Sequence, residues 1–308
     1  MYMQTNMSMR LSSNSTSRMA RITQPGIADD GALEALRASN ADHYHASPDC
    51  TNFRKDKKIR TANENDLAVA QSVARKIREV KPPSFSIEQV HAYAGFVKRK
   101  GQWVQVDNEA TALYKLIVKE LDDAGYTHET IVVDAADYGA AQTRPRMILR
   151  SVREGKLPPM PANTKAGDWH VLLKDLIDQE VEAGNFNSPG PDEIVRINRY
   201  VSLGKLDSNK PMITMGGSAS KGVPYAANAG GPSPTLLASP AQVPRIIIPK
   251  PGAKGLEGAT FIKVTPRMMA RLMGLPDTFK IPGAGPRGGF RAAKQMLCLL
   301  YTSDAADE

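Results

Sequence analysis

Ala41-Asp42-His43-Tyr44-His45-Ala46-Ser47-Pro48-Asp49-Cys50-Thr51-Asn52-Phe53 is the stretch that sets the reading of the chain. Ala41 to Ala46 reads as a strand, and Ser47-Pro48-Asp49 as the turn that ends it, so Cys50 falls just past a strand's carboxyl end. Downstream, Ser84 to Val90 (SFSIEQV) reads as a buried strand that brings Glu88 to its end. Gln142-Thr143-Arg144-Pro145-Arg146 leads into a further strand at Met147 to Arg150. A thiol, an acid and paired arginines suit covalent chemistry on a base.

Helical spacing fills the intervals. Asp30 to Ala38 predicts a short helix. Leu67, Val69, Val73, Ile77 and Val80 predict an amphipathic helix from Asp66, taken as its N-cap, to Val80, with Lys81-Pro82-Pro83 stopping it. A second long helix is expected over Glu109 to Ala124, ended by Gly125, and a strand over Ile131 to Asp134. Helices alternating with strands imply an open α/β sheet with crossover helices, whose ligands bind beyond the carboxyl ends of the strands. After Leu157 the texture changes. Pro158, Pro159 and Pro161 mark a boundary, Thr214 to Pro240 is dense in Gly, Ser, Pro and Ala, and the middle region reads as loop-rich and separately folded. Helix returns where Thr265-Pro266-Arg267 caps a segment through Leu272, closed by the Gly274-Leu275-Pro276-Asp277 turn.

Composition narrows the classes. A chain of 308 residues, 41% hydrophobic, can bury a sizeable core, and a formal net charge of +8 favours a polyanionic partner. Two cysteines, Cys50 and Cys298, do not make a disulfide framework. No run approaches the roughly 20 apolar residues that span a bilayer, and the polar first twenty residues lack a signal peptide's apolar region. A cytoplasmic protein with no membrane partner is expected. The five histidines lack metal-ligand spacing, so no metal site is read. Gly216-Gly217-Ser218 and Gly230-Gly231 lack the Lys-Ser/Thr ending of a phosphate loop and read as flexible loops.

The chemistry follows from the residue types. C5 of cytosine is a poor nucleophile until something adds to C6, and a thiolate at Cys50 is suited to that addition. Arg54, Lys55, Lys57 and Lys58 lie close in sequence to favour the ionised thiol, whereas the adjacent Asp49 opposes it. Glu88 is the candidate acid at N3, which makes C6 more electrophilic. Arg144 and Arg146, two apart on an extended segment with Gln142 in phase, are expected to share a side and hold the base.

Taken together in this order, these segments resemble the DNA cytosine C5-methyltransferases of bacterial or phage type. Ser47-Pro48-Asp49-Cys50-Thr51-Asn52-Phe53 is similar to that family's Pro-Cys nucleophile loop, and Ile87-Glu88-Gln89-Val90 to its Glu-Asn-Val motif. Asp134 to Gly139 followed by Gln142 to Arg146 resembles its Ala-x-Tyr-Gly leader and Gln-x-Arg-x-Arg motif. Val264 to Phe279 resembles its Thr-x-Arg segment with the Gly-Phe-Pro-Asp ending. The resemblance implies a Rossmann-like S-adenosylmethionine-dependent α/β sheet with a smaller loop-rich target recognition domain. It implies Cys50, Glu88, Arg144 and Arg146 as catalytic residues acting on a flipped-out cytosine. It further implies S-adenosyl-L-methionine as donor, contacted by Ile27, Asp49 and Leu67, and base-side contacts at Gln142 and Thr235, the latter within Pro234-Thr235-Leu236. The implied partner is double-stranded DNA, with a monomeric enzyme and a cognate restriction endonuclease on a separate chain. A non-catalytic DNA-binding remnant and an RNA cytosine C5-methyltransferase remain as alternatives.

Departures accompany the matches. Asp49 stands where the family has a second proline, Gln89 where it has Asn, and Met268 where it has Glu. The glycine-rich Phe-x-Gly-x-Gly loop has no counterpart before Cys50, Gly26 stands where the cofactor strand's Asp is expected, and the Gly-Asn-Ala-Val-Pro motif does not follow Arg291 to Met296. The expected organisation is an N-terminal segment 1–20, a partial catalytic domain 21–155, a target recognition domain 156–260, a return to the catalytic domain at 261–297 and a tail 298–308 that reads as translated sequencing adapter. Incomplete at both ends by this reading, the chain is expected to bind S-adenosyl-L-methionine poorly.

Overall fold

The computed structural model describes residues 19–22, 30–48, 63–107, 111–215, 226–236, 243–253 and 255–281, with backbone alone for 19–22 and 30–32. Ile27, Asp49, Cys50, the basic run 54–58, Cys298 and the tail lie outside the described residues. Two compact units emerge: Met1–Val133 with Pro145–Pro161, and Asp134–Arg144 with Ala162–Glu308.

The first unit runs β1 (Met19–Ile22), α1 (Asp30–Ser39), β2 (His43–Ala46), α2 (Glu64–Val80), β3 (Ser84–Gln89), β4 (Phe96–Arg99), β5 (Gln102–Gln105), α3 (Ala112–Asp123), β6 (Thr127–Asp134) and β7 (Pro145–Val152). Five strands form a sheet in the order β1-β2-β3-β7-β6, and β4 pairs with β5 as a separate hairpin. β1, β2 and β3 are parallel, while β7 is antiparallel to β3, with Glu88 opposite Ile148 and Gln89 opposite Met147. The antiparallel step explains why the Arg146 segment, which begins a strand, lies at the same sheet end where β2 and β3 finish.

Alternation along the strands decides what is buried. Tyr44, Ala46, Phe85, Ile87, Met147 and Leu149 enter one core with Val73 and Ile77 of α2 and Leu113, Ile117 and Leu121 of α3. Each Val, Leu, Ile, Phe or Met among them is worth roughly 1.5–3 kcal/mol when fully buried. β3 is therefore buried on alternate residues, because Ser84, Ser86 and Glu88 take the other face. There the polar side chains satisfy one another: His43 Nδ1 meets Ser84 Oγ at 2.8 Å, and Ser86 Oγ lies 2.8 Å from both His43 Nε2 and His45 Nδ1. Burial lowers the His43 pKa.

The start of α2 corrects a cap. Asn63, not Asp66, is the N-cap; its side chain accepts from Asp66 N at 2.8 Å, and Asp66 Oδ2 accepts from Asn63 N at 2.8 Å. Asp66 is thus the returning half of a capping box. Lys81 ends the helix in the left-handed region, φ 49°.

The second unit is built from α4 (Trp169–Glu182), α5 (Pro191–Ser202), β8 (Met212–Thr214), β9 (Ala226–Asn228), β10 (Arg245–Ile248), β11 (Thr260–Lys263) and α6 (Pro266–Leu272). Its four strands form an antiparallel sheet in the order β11-β10-β8-β9. The stretch read as loop-rich contains both α4 and α5. Asp168 caps α4 by accepting from His170 N at 2.9 Å, and Pro191 opens α5. Trp169, Leu173 and Ile177 of α4 pack with Ile213, Ile246 and Ile262 of the sheet and with Met268, Met269 and Leu272 of α6. Met212 and Ile247 join a separate cluster with Ile197 and Tyr200 of α5. Thr265 caps α6 as its sequence predicted, accepting from Met268 N at 3.3 Å.

Candidate active site

The parallel register of β2 and β3, with Ala46 opposite Ile87, brings the next residues, Ser47 and Glu88, side by side. Ser47 Oγ donates to Glu88 Oε2 at 2.9 Å. On the other carboxylate oxygen, Arg146 Nε pairs with Glu88 Oε1 at 2.9 Å, and Arg146 Nη1 donates to Pro145 O at 2.8 Å. The side chains of Arg146 and Glu88 are 11% and 15% exposed, a largely desolvated pair open on one side. The pair is one of charge, since Arg146 Nε makes no hydrogen bond, and so desolvated a pair is costly to break from one partner alone.

Gln89 points to the opposite face and is fully buried. Its Nε2 donates to Pro48 O at 2.5 Å and its Oε1 accepts from Val90 N at 2.7 Å. The Gln that replaces the family's Asn therefore ties down the stem that leads to Cys50. Cys50 and Asp49 themselves lie outside the described residues, so the site's described members in the first unit are Ser47, Pro48, Glu88, Gln89 and Arg146. Sequence reading treated Ser47 only as a turn residue. A serine directly before Pro48, at the end of a strand parallel to β3, was the signal, but it needed the register to be read.

The second unit holds the other expected residues. Asp134 Oδ1 accepts from Ala136 N at 3.1 Å and Arg144 N at 2.7 Å, pinching the intervening loop closed. Within it, Ala141 to Thr143 runs beside Ser233: Ser233 N donates to Ala141 O and Thr143 N to Ser233 O, both at 2.8 Å. Gly167 passes so close that a Cβ there would come 2.9 Å from Gly139 O. Thr235 Oγ1 donates to Thr143 O at 2.6 Å, which places the two expected base-side positions, Gln142 and Thr235, on adjoining segments. Gln142 is only 1% exposed; its Oε1 accepts from Arg144 Nη1 at 3.5 Å, and its Nε2 faces Met273 Sδ at 3.7 Å. Arg144, also buried, donates in addition to Leu236 O at 3.4 Å. Arg144 belongs to the second unit and Arg146 to the first, since the division falls between Arg144 and Pro145.

Leu67 is the one expected cofactor contact among the described residues; it sits on the first turn of α2 and is 40% exposed. An apolar side chain so placed fits only an apolar part of a donor molecule, so the described residues do not by themselves compose a cofactor cradle. The described histidines have other partners: His91 Nδ1 lies 2.8 Å from Phe96 O and its ring 4.5 Å from that of Trp103, His128 Nε2 lies 2.9 Å from Asp122, and His170 packs edge-on against Trp169. Among the described residues no group of three His, Cys, Asp or Glu is arranged to hold a metal ion, and no helix is long and apolar enough to cross a membrane.

Type II methyltransferase M.SacI of Streptomyces achromogenes is 29% identical over 159 residues, 48% of this chain and 38% of that protein. Type II methyltransferase M1.HgaI of Avibacterium volantium is 27% identical over 161 residues, 51% of this chain and 40% of that protein. The matched stretch thus spans about two fifths of the length of these curated relatives. In fold, the chain is similar to the Entamoeba histolytica methyltransferase EhMeth, with a TM-score of 0.50 at 14% identity, covering 96% of this chain and 88% of that one. The sequence model of C-5 cytosine-specific DNA methylases matches residues 27–296, the greater part of the chain and every segment of the site described above. On the strength of that match over residues 27–296, carried on a Rossmann-like α/β sheet, the chain belongs to the C-5 cytosine-specific DNA methylase family.

Proposed function

We propose that this protein methylates C5 of cytosine in double-stranded DNA, with Cys50 as the nucleophile and Glu88 as the acid at N3. The observation that carries the reading is the Ser47–Glu88–Arg146 cluster at the carboxyl end of β3, beside a stem that Gln89 clamps two residues before Cys50. A family enzyme transfers a methyl group and so needs a methyl donor; S-adenosyl-L-methionine would supply an electrophilic methyl, with Leu67 as an apolar contact and Ile27 and Asp49 as further contacts.

The target cytosine leaves the stack to reach the site, at a cost of a few kcal/mol. The Cys50 thiolate adds to C6, forming the C–S bond, and the C5–C6 electron pair shifts toward C5. Proton sharing between Glu88 and N3 draws that charge into the ring and makes C6 the better electrophile. Ser47 suits this role because a hydroxyl donates to a carboxylate and accepts from a carboxylic acid, so it can hold Glu88 in both states. Arg146 holds the other carboxylate oxygen, and a guanidinium at that place suits the charge that develops on the base. C5 then takes the methyl group, the sulfonium donor leaving as its thioether, and transfer of the C5 proton to solvent water with expulsion of the Cys50 thiolate from C6 restores the C5–C6 double bond.

Arg144 and Gln142 serve as a buried brace that shapes the loop before Pro145, and Thr235 fastens that loop to the Ser233–Leu236 segment. In this reading residues 156–260 supply target recognition, reading base edges while lysines and arginines hold phosphates. The test is covalent trapping on DNA containing 5-fluorocytosine with S-adenosyl-L-methionine present. With S-adenosyl-L-methionine raised to saturation, to offset the weak binding expected of this chain, a stable protein–DNA adduct is expected where Cys50 is present and none with Cys50→Ala. An adduct that persists in Cys50→Ala would overturn the assignment.

A further inference from the structure

The β4–β5 hairpin carries a cluster of charge that the proposed chemistry does not use. Lys98 and Arg99 end β4, and Lys100-Gly101 forms the turn into Gln102. Lys98, Arg99 and Lys100 are all exposed, and among the described residues none of them joins an ion pair. No acidic residue occurs from Ala92 through Val106. Asp107, the first one beyond, is engaged by Lys115 at 2.6 Å and Thr111 Oγ1 at 3.0 Å.

The hairpin is tied down at its root and by one ring contact, Trp103 on His91. Val106 N donates to Gly95 O at 3.0 Å, and Gln105 Nε2 donates to Ala94 O at 2.9 Å. The end of β5 is thereby fixed to Ala94 and Gly95, at the close of the 3-10 turn His91–Ala94, which follows directly from the end of β3 that bears Glu88. The Trp103 ring packs 4.5 Å from that of His91, and the Lys98 ammonium stands 5.6 Å from the Trp103 centroid. A second observation concerns the turn: Lys100 has φ 48° and Gly101 φ 84°, a two-residue loop with both residues in the left-handed region. Asn or Gly is favoured at the first of these positions, and lysine is not. A lysine kept there, solvent-facing and without an ion-pair partner, is strain without a return in packing, which points to function.

We propose that this hairpin grips the phosphate backbone of double-stranded DNA beside the target base, through Lys98, Arg99 and Lys100. The inference rests on the reading of the protein as one that acts on double-stranded DNA. Strands of four residues reach about 13 Å from the root, so the tip stays close to the sheet end where Glu88 sits. Phosphates carry one charge per about 1.7 Å of duplex axis, so a three-cation edge of this length meets several of them, whatever the base sequence. Contacts of this kind position a duplex without reading it.

The experiment titrates the full chain against a fluorescent duplex of arbitrary sequence, about 30 base pairs long, between about 50 and 200 mM salt. Lys98→Ala/Arg99→Ala/Lys100→Ala should weaken binding on the order of tenfold, equally for unrelated sequences, and reduce the log–log salt slope by about two to three. The single variant Lys100→Asn, whose residue suits the turn, should keep the hairpin intact and reduce the slope by about one. Arg37→Ala/Arg75→Ala/Lys119→Ala, an equal charge change on helices α1 to α3, should leave the slope unchanged. Duplex binding by the unaltered chain with the same slope in both hairpin variants would overturn this inference alone. A chain that binds no duplex at any salt would overturn it together with the DNA reading.

Discussion

Gln89 Nε2 donates to Pro48 O across 2.5 Å, from the last residue of β3 to the stem of the Cys50 loop. The amide is buried, so its bond is not exchangeable for water. Gln89→Ala should cost about 1–3 kcal/mol by leaving the Pro48 carbonyl unsatisfied. Gln89→Asn, one methylene shorter, should lose the reach to Pro48 and lower stability in the same direction. Both variants should also slow covalent trapping of 5-fluorocytosine DNA, with Gln89→Ala slower still. Thermal melts and trapping rates check the two effects separately.

Ser47 and Arg146 hold different oxygens of Glu88, so their removal should have different effects. Ser47→Ala leaves a largely buried carboxylate oxygen short of one donor and should cost about 1 kcal/mol, with Ser47→Thr restoring most of it. Arg146→Ala leaves the carboxylate without its cation and should cost about 3–5 kcal/mol if the site cannot admit water. Glu88→Gln keeps the shape but cannot give a proton to N3, and should reduce methylation by about 10²–10⁴-fold while the melting temperature moves little by comparison. A Glu88→Gln protein with full methylation would remove Glu88 from the chemistry.

Tyr44 is fully buried against Phe85, ring centroids 5.2 Å apart, and its hydroxyl has no hydrogen-bond partner among the described residues. Burial also raises its pKa. An unsatisfied buried hydroxyl is a standing cost, so Tyr44→Phe should stabilise the protein by about 1 kcal/mol, seen as a rise of ~2–4 °C in Tm. A fall in Tm would mean that the hydroxyl has a partner.

Arg271 of α6 binds two carboxylates at once, Asp175 of α4 at 2.5 and 2.9 Å and Asp277 of the following turn at 2.8 and 2.9 Å. Its hydrogen bonds are the main reason both aspartates stand below the usual carboxylate pKa. A depressed folded pKa gives stability that is present above the unfolded value, near 3.8, and is lost as pH falls through the folded values. Stability should therefore drop in acid below about pH 4, and Arg271→Ala should flatten that part of the profile. Glu193 works with the opposite sign. Burial raises its pKa against the pull of Arg245, so its contribution is full below its unfolded value and lost as pH rises through the raised one. Thermal melts from pH 3 to 7 separate the two slopes, since only the acid limb should respond to Arg271→Ala.

Much of the local structure was legible from residue patterns. Helix α1, the strand leading to Ser47, the strand bearing Glu88, and α6 with its Thr265 cap all follow from spacing and capping chemistry that act within a few residues. Helices α4 and α5 were not read. Val171 and Val195 sit exposed on them and blur the apolar stripe, and their burial depends on strands β8, β10 and β11 far along the chain.

The sequence by itself determined the chemistry on offer: a cysteine beyond a strand end, a glutamate at the end of the next strand and an arginine pair before a third, in the order of one enzyme family. Only the tertiary structure decided what those residues touch. Parallel pairing of β2 with β3 set Ser47 against Glu88, and the antiparallel β7 returned Arg146 to the same sheet end. It also divided the arginine pair, giving Arg144 to a buried brace with Gln142 and Arg146 to the acid. The physical reason is that register and strand direction are fixed by long-range burial, in which a shift of one residue exchanges the two faces of a sheet, whereas caps and turns are fixed by their neighbours in sequence.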